Sequence, residues 1–585
     1  MEHTKNETLN GKRTFWAMIL FECAVLGLIL FFCDVKYEVS DDFLMEAFLS
    51  GLYSGTPDYH IMFSGGLAGL LLYPLYQWIP TVSWYFFAQM AVCLLSYVAI
   101  ARVITSSLSW KKAVPVIVLF TLFTASDVYV LPQFTKTAAL AVIAGGILFL
   151  QSLFDNRKGG MVFGGLVLLG GLLIRLKMLY SALPFLGLYL LCLLLEKRMP
   201  VKELLRKGIV IAAAAVLVLV FRFANLAVSQ NTEEYKDFAV WTGVRSSIVD
   251  YTRPDYSLIK EKMEEAGVSR NDYLVIRNWD FFDRSFLNIK TLRKVNKILG
   301  EYRSSQPFNL IQCMKSIKGR GTILYPGAIL CMILGVICIL FDPKRWYVPV
   351  GSAIILAGFF LYFAHTGREV YRAECGLYFF AAAVIAACIS GLEGKSQNRV
   401  LMIGAAVIAL ALSVWQARLY IPVSDYGEKT QEEYRASILE MFHRSWRYDP
   451  DKYRTVIEDG EMYDDLRKEA ENHPENLYIM DFNTTIQSLY LDTSVFKSGA
   501  SQVPENLIYM GGVTANHPVM NHYLEKLGYA DWMRALLEEN AYLVCNNRAT
   551  MIINYYHEHG YPHARAEKIG EIDGYKIYKI YESGK

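Results

Sequence analysis

The sequence predicts an α-helical polytopic membrane protein with a small extracytoplasmic α/β domain at its carboxyl end. Two observations predict the membrane part: 54% of the 585 residues are hydrophobic, and only 19% are charged, where a soluble chain has about a quarter. Charge separates the end of the chain, because residues 419–585 hold 17 Lys and Arg against 27 Asp and Glu. Residues 1–418 hold 41 against 29, so a basic transmembrane domain precedes an acidic domain.

Apolar stretches predict about eleven transmembrane helices, since a helix needs about 20 predominantly apolar residues to cross a bilayer. The predicted spans are Thr14–Cys33, Ser83–Ile104, Ala113–Leu131, Thr135–Phe154, Met161–Ile174, Met178–Leu195, Gly208–Ala227, Thr322–Phe341, Trp346–Ala364, Gly376–Ser390 and Val400–Trp415.

Loop charge orients these spans, because Lys and Arg are enriched in cytoplasmic loops. Basic clusters fall on every second connection: Lys12 and Arg13; Arg102, Lys111 and Lys112; Arg157 and Lys158; Lys197, Arg198, Arg206 and Lys207; Lys344 and Arg345; Lys395 and Arg399. The amino terminus is therefore predicted in the cytoplasm of a cell with a bacterial-type plasma membrane. Loops 34–82 and 229–321 and the domain 419–585 are predicted outside.

The loop 34–82 is predicted to contain interfacial helices. Apolar residues recur there at helical spacing, at Phe43, Leu44, Ala47, Phe48 and Leu52. Such a helix lies along a membrane surface. The stretch His60–Pro80 is also apolar, but its glycines and prolines weaken a helix. Because a crossing there would also reverse the loop charges, we expect it to lie in the outer interface.

The tail alternates β-rich runs with a helical stretch, which is typical of an α/β domain. The runs are Leu477–Asp481, Leu507–Met510, Ala541–Cys545 and Tyr575–Tyr581, and the helical stretch is Asn521–Glu539.

The sequence lacks the motifs of several functional classes. The chain has no P-loop, no GxGxxG after a strand and no GxSxG, which argues against a nucleotide-driven motor and a serine hydrolase. Its ten cysteines show no paired spacing. His557, His559 and His563 have passable metal spacing, but a helix that ends at a Gly560 cap explains them better. No cofactor and no nucleic-acid partner are therefore expected, and a divalent metal is not indicated.

An acidic pair, Asp41 and Asp42, follows the first span. One interpretation is that Ser40 or Asp41 caps the surface helix, whose positive end favours carboxylates. The other is that a carboxylate held at the membrane face is a general base. Both can hold together, so Asp41 and Asp42 are the catalytic candidates.

Six cations lie near external helix ends, where the loop-charge rule predicts few. They are Lys136, Arg175, Lys177, Arg222, Arg368 and Arg372. A single cation there can reach outward to lipid headgroups, but six favour a lipid phosphate, which guanidinium groups bind with two hydrogen bonds. Arg368 and Arg372 are the first choices because one short segment, HTGREVYRAEC, holds both.

The loop 229–321 mixes aromatic and acidic residues in VRSSIVDYTRPDY and NWDFFDRS. Aromatic faces next to carboxylates suit sugar binding, although an ordinary amphipathic loop has the same composition. The candidates for substrate contact are Arg245, Asp250, Trp279 and Asp283.

These motifs resemble the GT-C superfamily of integral-membrane glycosyltransferases, which includes protein O-mannosyltransferases and lipid A aminoarabinose transferases. Asp41-Asp42 stands in the position of the family's acidic pair, Gly55 closes the first surface helix, and Pro57–Gly69 resembles the second. Asp58 and His60 join the substrate-binding candidates on this basis. The chain is also similar to uncharacterised membrane proteins of Gram-positive bacteria.

The resemblance implies a glycosyltransferase with a polyprenyl-phosphate sugar as donor. A cell-surface glycan, lipid or protein would supply the acceptor hydroxyl on the outer face, in cell-envelope polysaccharide or glycopolymer modification. Asp41 would be the base, Asp42 would assist, and Arg368 and Arg372 would neutralise the phosphate. The alternatives are a lipid-linked glycan transporter or flippase, a polysaccharide polymerase or ligase, and an assembly partner with a decayed site.

Overall fold

The computed structural model describes residues 2–33, 35–197, 199–322, 325–389, 411, 464–481, 493–545, 548–572 and 575–582. Up to residue 389 the described chain is almost entirely helical. Its helices are α1 (Glu2–Phe32), α2 (Ser40–Ser50), α3 (Gly66–Trp78), α4 (Trp84–Ser107), α5 (Trp110–Ala125), α6 (Phe134–Phe154), α7 (Lys158–Arg175), α8 (Lys177–Glu196), α9 (Val201–Ser229), α10 (Glu233–Val249), α11 (Lys260–Glu265), α12 (Arg270–Arg277), α13 (Ile289–Ser305), α14 (Leu310–Gly319), α15 (Pro326–Phe341), α16 (Tyr347–Thr366) and α17 (Tyr371–Cys388). Short π or 3-10 turns form at Ser126–Val130, Tyr256–Leu258 and Pro343–Arg345.

Nine helices in the described part of the chain are long and apolar enough to cross a membrane, and α15 is a shorter apolar helix. They make the protein a multi-pass membrane protein. Ten of the predicted spans coincide with helices. The last, Val400–Trp415, lies outside the described residues except for residue 411, as do the predicted cytoplasmic cations Arg198, Lys395 and Arg399.

The centre of the bundle is formed by α6 and α17, which are almost completely buried. In contrast, Lys207 is the only buried residue of α9, so this helix faces lipid. Glycines allow α6 and α7 to touch. A Cβ atom on Gly145 would lie 2.3 Å from the Leu168 amide nitrogen and 2.6 Å from the Gly164 carbonyl oxygen. This close backbone approach is typical of small residues between membrane helices.

The two helices of the loop 34–82 form where the sequence predicts them, but their setting differs. Every residue of α2 except Asp41 is buried, so protein rather than lipid covers its apolar side. No side chain caps this helix, although Ser40 or Asp41 was expected to do so. Helix α3 spans 13 residues, too short to cross a membrane.

The carboxyl-terminal domain contains a five-stranded sheet. Its strands are β1 (Leu477–Met480), β2 (Leu507–Tyr509), β3 (Ala541–Val544), β4 (Ala564–Ile572) and β5 (Tyr575–Glu582), in the order β2-β1-β3-β5-β4. The first three pair in parallel, and β5 and β4 extend the sheet antiparallel. Its helices are α18 (Asp464–Asn472), α19 (Pro518–Lys526), α20 (Trp532–Ala535) and α21 (Ala549–Glu558). The predicted small α/β domain is therefore present.

This domain packs directly on the loop 34–82. The Gly499 amide donates to Glu46 Oε2 on α2 over 2.5 Å, and the Tyr53 hydroxyl donates to the Leu507 carbonyl over 2.7 Å. An isolated antiparallel bridge joins Val82 to Lys497. The sheet domain and α2 are thus held together by hydrogen bonds as well as by packing.

Candidate functional site

Asp41 lies at the amino-terminal end of α2 and is the residue of that helix that reaches the surface. Its side chain is 19% exposed and its Oδ2 lies 3.8 Å from Nη2 of Arg372, the second residue of α17. Burial raises the pKa of the Asp41 carboxyl above its usual value, and the positive charges of Arg372, Arg175 and Arg245 limit that rise. A carboxylate with a raised pKa is a better proton acceptor than an exposed one.

Arg175 ends α7 close to Asp41. Its Nη1 donates to Thr135 Oγ1 over 2.8 Å, and its guanidinium lies 4.6 Å from the centre of the Phe134 ring. The Nε–H is buried and has no hydrogen-bond partner among the described residues. Protein therefore fixes one part of this guanidinium and leaves the donor capacity of its Nε–H unused among the described residues.

Arg245 is the most unusual cation of the site, because it is 1% exposed and pairs with no carboxylate in the described part of the chain. Its guanidinium lies between two indole rings, 5.7 Å from the centre of Trp241 and 5.1 Å from that of Trp279. Within the described chain its Nε and Nη1 have no hydrogen-bond partner. Burial lowers the pKa of Arg245 to about 10, so the group remains charged at neutral pH.

Trp279 owes its position to an unusual backbone. Its φ is +68°, a left-handed conformation that bulky residues rarely adopt. The Trp279 carbonyl accepts a hydrogen bond of 2.6 Å from the Gly512 amide. Contact with the carboxyl-terminal domain therefore holds the turn that puts the indole ring on Arg245.

Arg368 is held by the end of α10. Its Nη2 lies 3.4 Å from Asp250 Oδ2, and its Nη1 donates to the Tyr251 hydroxyl over 3.0 Å. Lys177, the exposed first residue of α8, is within electrostatic range of Arg368 and Asp250. The charges that act on Asp41 are thus those of Arg372, Arg175, Arg245 and Asp250. Arg368, Lys177 and Trp279 adjoin this group through Asp250, Arg175 and Arg245.

Two of the predicted phosphate-binding cations lie elsewhere. Lys136 is completely buried, with its Nζ 2.7 Å from Glu38 Oε2 and 3.6 Å from Asp127 Oδ1. It is engaged by protein carboxylates. Arg222 lies on the lipid-facing α9, where its Nη1 donates to the Tyr180 hydroxyl over 3.5 Å. No contact in the described part of the chain joins either one to Asp41.

Asp42 points into the protein. Its Oδ1 accepts hydrogen bonds from the Tyr85 hydroxyl, the Gln89 side chain and the Phe134 amide, each over 3.0 to 3.1 Å. It is fully buried, and burial followed by the charge of Asp41 raises its pKa to about 8. Asp42 therefore joins α2 to α4 and α6 rather than facing the surface.

Asp58 and His60 form a separate cluster with α10. The His60 Nδ1 lies 2.6 Å from Asp58 Oδ1, and its Nε2 lies 2.9 Å from Asn231 Oδ1. The Tyr235 hydroxyl donates to Asp58 Oδ2 over 2.7 Å, and its ring stacks on His60 at 3.5 Å. Although burial opposes it, hydrogen bonding from His60 lowers the pKa of Asp58. The polar atoms of these side chains are therefore already used in hydrogen bonds to one another.

Asp283 also has a structural environment. It is buried, its Oδ1 accepts from the Ser285 and Phe286 amides, and its Oδ2 accepts from the Tyr555 hydroxyl over 2.8 Å. It therefore fixes a turn of the loop 229–321 to the carboxyl-terminal domain.

A cleft of about 1140 Å³ lies away from Asp41, between the loop 229–321 and α21. Asp272, Glu558 and His559 on its wall are close enough together to hold a metal ion. However, His559 Nε2 already lies 2.7 Å from Asp272 Oδ1, and Glu558 accepts from Ser269 and Asn271. These hydrogen bonds satisfy the cluster, so we assign it no metal.

No family model, curated protein or solved structure matches this chain. The GT-C resemblance therefore stays a prediction from sequence motifs. Its candidates divide into a cluster around Asp41 and four outlying groups: Lys136, Arg222, the Asp58–His60 pair and Asp283.

Sequence reasoning missed the partners that neutralise Lys136. One partner is Glu38, in the segment YEVSDD, and the other is Asp127. Tyr371, in the segment HTGREVYRAEC, contacts Asp127. Both Glu38 and Tyr371 are neighbours of the residues selected from the sequence. The Tyr371 hydroxyl donates to Asp127 over 2.7 Å. The signal available in the sequence was Asp127 itself, an acidic residue inside a predicted span, because buried charges need partners.

Proposed function

We propose that this protein is a glycosyltransferase that transfers a sugar from a polyprenyl-phosphate donor to an acceptor hydroxyl at the outer face of the membrane. One observation carries the proposal: the partly exposed carboxylate of Asp41 faces Arg372, and the nearby Arg175 and Arg245 keep three N–H donors without a protein acceptor in the described chain. A general base next to an unfilled anion site is what such a transfer requires.

A phosphate fits the unused donors of Arg175 and Arg245. Buried N–H groups without acceptors are destabilising, so a ligand that supplies oxygen atoms would be bound strongly. Arg175 ends the predicted span α7, and Arg372 begins the span α17. A phosphate bound there would lie at the membrane surface, where the phosphate of a lipid carrier lies. This level favours a polyprenyl phosphate over a soluble nucleotide sugar.

The transfer would be a single inverting displacement. The acceptor hydroxyl oxygen forms a bond to the anomeric carbon as its proton passes to Asp41, and the bond from that carbon to the phosphate oxygen breaks. The phosphate leaves with the electron pair, and Arg372, Arg175 and Arg245 stabilise its charge. Asp42 assists by holding the start of α2 in place.

Binding of the lipid phosphate tests the anion site. Purified protein in detergent is titrated with a polyprenyl phosphate and binding is followed by native mass spectrometry. Because buried donors contribute most, we expect Arg245→Gln to weaken binding at least about tenfold, whereas Arg245→Lys restores part of it. The control Arg206→Gln alters an exposed arginine at the start of α9.

Asp41→Asn should bind the lipid with the same affinity as the wild type, because it leaves the guanidinium groups unchanged. Equal affinity of Arg245→Gln and Arg206→Gln, with both proteins folded, would contradict the proposed donor site.

A further inference from the structure

Two cysteine thiols meet at the end of the bundle opposite Asp41. Cys192 lies near the end of α8 and Cys388 is the last residue of α17. Their sulfur atoms are 3.5 Å apart, although 196 positions separate them in the sequence. Both residues are 1% exposed. The sequence gives no sign of this pair, because only the packing of α8 on α17 brings the two thiols together.

The pair has its own proton acceptor. The Cys192 thiol donates to Glu196 Oε1 over 2.9 Å, one helical turn further along α8. This hydrogen bond directs the Cys192 proton to a carboxylate, which can accept it as the sulfur reacts. The Glu196 side chain is 32% exposed, so a proton taken from Cys192 can pass to water.

A guanidinium group completes the arrangement. Arg345 Nη2 lies 2.6 Å from the same Glu196 oxygen, and its Nη1 donates to the Cys388 carbonyl. The guanidinium group therefore holds the carboxylate and the Cys388 backbone in place beside the two thiols. A nucleophilic thiol with an adjacent base and a second thiol in contact is the arrangement found in redox-active cysteine pairs.

We propose that Cys192 and Cys388 are a redox-active pair that two-electron thiol oxidants convert into a disulfide between α8 and α17. With an azo oxidant such as diamide, the Cys192 thiolate adds to one nitrogen of the N=N bond and the other nitrogen takes a proton. The Cys388 sulfur then attacks the Cys192 sulfur. The S–N bond breaks, its nitrogen takes the second proton, and the azo compound leaves as a hydrazine.

The disulfide would join the two helices that begin at the candidate site. Lys177 starts α8, and Arg372 is the second residue of α17. At 1.5 Å per residue, the thiols lie about 22 to 24 Å along these helices from those cations. Oxidation would therefore fix the far ends of two helices whose near ends carry cations of the candidate site.

Thiol counting tests the proposal on the full chain in membranes. After diamide treatment and denaturation, free thiols are labelled with a polyethylene-glycol maleimide. We expect the wild type to lose two of its ten labels. Cys192→Ser and Cys388→Ser should lose none, while Cys338→Ser and Cys313→Ser should still lose two. Peptide mass spectrometry of the wild type should identify the Cys192–Cys388 disulfide.

The base has a separate test in the rate of oxidation. Glu196→Gln removes the proton acceptor but leaves both thiols, so disulfide formation should slow about tenfold at neutral pH. Full labelling of the oxidised wild type, or a disulfide that joins other cysteines, would overturn the pair. An unchanged rate in Glu196→Gln would overturn the role of the carboxylate.

Discussion

Adjacent residues Asp41 and Asp42 differ because α2 turns by about 100° from one residue to the next. One carboxylate therefore reaches the surface beside Arg372, and the other enters the protein and accepts three hydrogen bonds. The sequence predicted that this pair is catalytic, and that role stays a prediction. It did not indicate which member is accessible, because that depends on donors from Tyr85, Gln89 and Phe134 in distant segments.

Titration of buried carboxyls should make the stability of the protein depend on pH. Burial raises the pKa of Asp42 and of Glu46 to about 8, whereas these groups titrate near pH 4 in an unfolded chain. Between about pH 4 and pH 8 the folded state holds more protons than the unfolded state, so stability falls as pH rises.

Thermal unfolding in detergent from pH 5 to pH 8.5 measures this effect. The melting temperature of the wild type should fall with pH more steeply than that of the Asp42→Asn/Glu46→Gln variant, whose amides do not titrate. Parallel curves for the two proteins would show that these carboxyls do not hold protons in the folded state.

At the scale of the elements, length and hydropathy were sufficient to predict the membrane spans, but they predicted the strands and helices of the tail less well. Four strands form where β-rich runs were noted, but β4 was missed. Its sequence, ARAEKIGEI, is polar and largely exposed, as an edge strand can be. The expected helix Asn521–Glu539 is divided into α19 and α20, with Gly528 between them at a φ of +85°. Propensity did not reveal that break.

The contact of α6 with α7 depends on glycine. We expect Gly145→Ala to lower stability by about 1–3 kcal/mol, because its new Cβ would overlap the α7 backbone. Gly165→Ala on α7 is the matched control, since nothing lies within 4 Å of its Cβ position. Thermal unfolding compares the two variants. Equal melting temperatures would contradict the close approach of these helices.

At the scale of the whole molecule, the sheet domain covers the helix that carries Asp41. The division of charge predicted a separate acidic domain, but not its packing on α2. That packing depends on a buried carboxylate, Glu46, which accepts from the Gly499 amide and from the Tyr76 hydroxyl over 3.0 Å. Single-sequence patterns do not reveal such long-range contacts, because neither partner is unusual in its own segment.

Removal of this acceptor should loosen the domain. In Glu46→Gln one of the two acceptor oxygens becomes an amide nitrogen, so either the Gly499 amide or the Tyr76 hydroxyl loses its acceptor. We expect amide hydrogen exchange to become about tenfold faster around Gly499 and in α2. Glu505→Gln, an exposed change in the same domain, should leave both segments as in the wild type. Equal protection in the two variants would contradict this role of Glu46.

The most direct test of the proposed function is mass spectrometry of polyprenyl-phosphate sugars in cells that lack the protein. They are complemented at matched membrane abundance with the wild type, Asp41→Asn or the control Asp237→Asn, an exposed acid on α10. We predict that a lipid-linked monosaccharide accumulates without the protein, falls with the wild type and Asp237→Asn, and persists with Asp41→Asn, whose transfer should be reduced at least about 100-fold. Normal lipid levels with Asp41→Asn, or accumulation of a lipid that carries a complete glycan, would contradict the account.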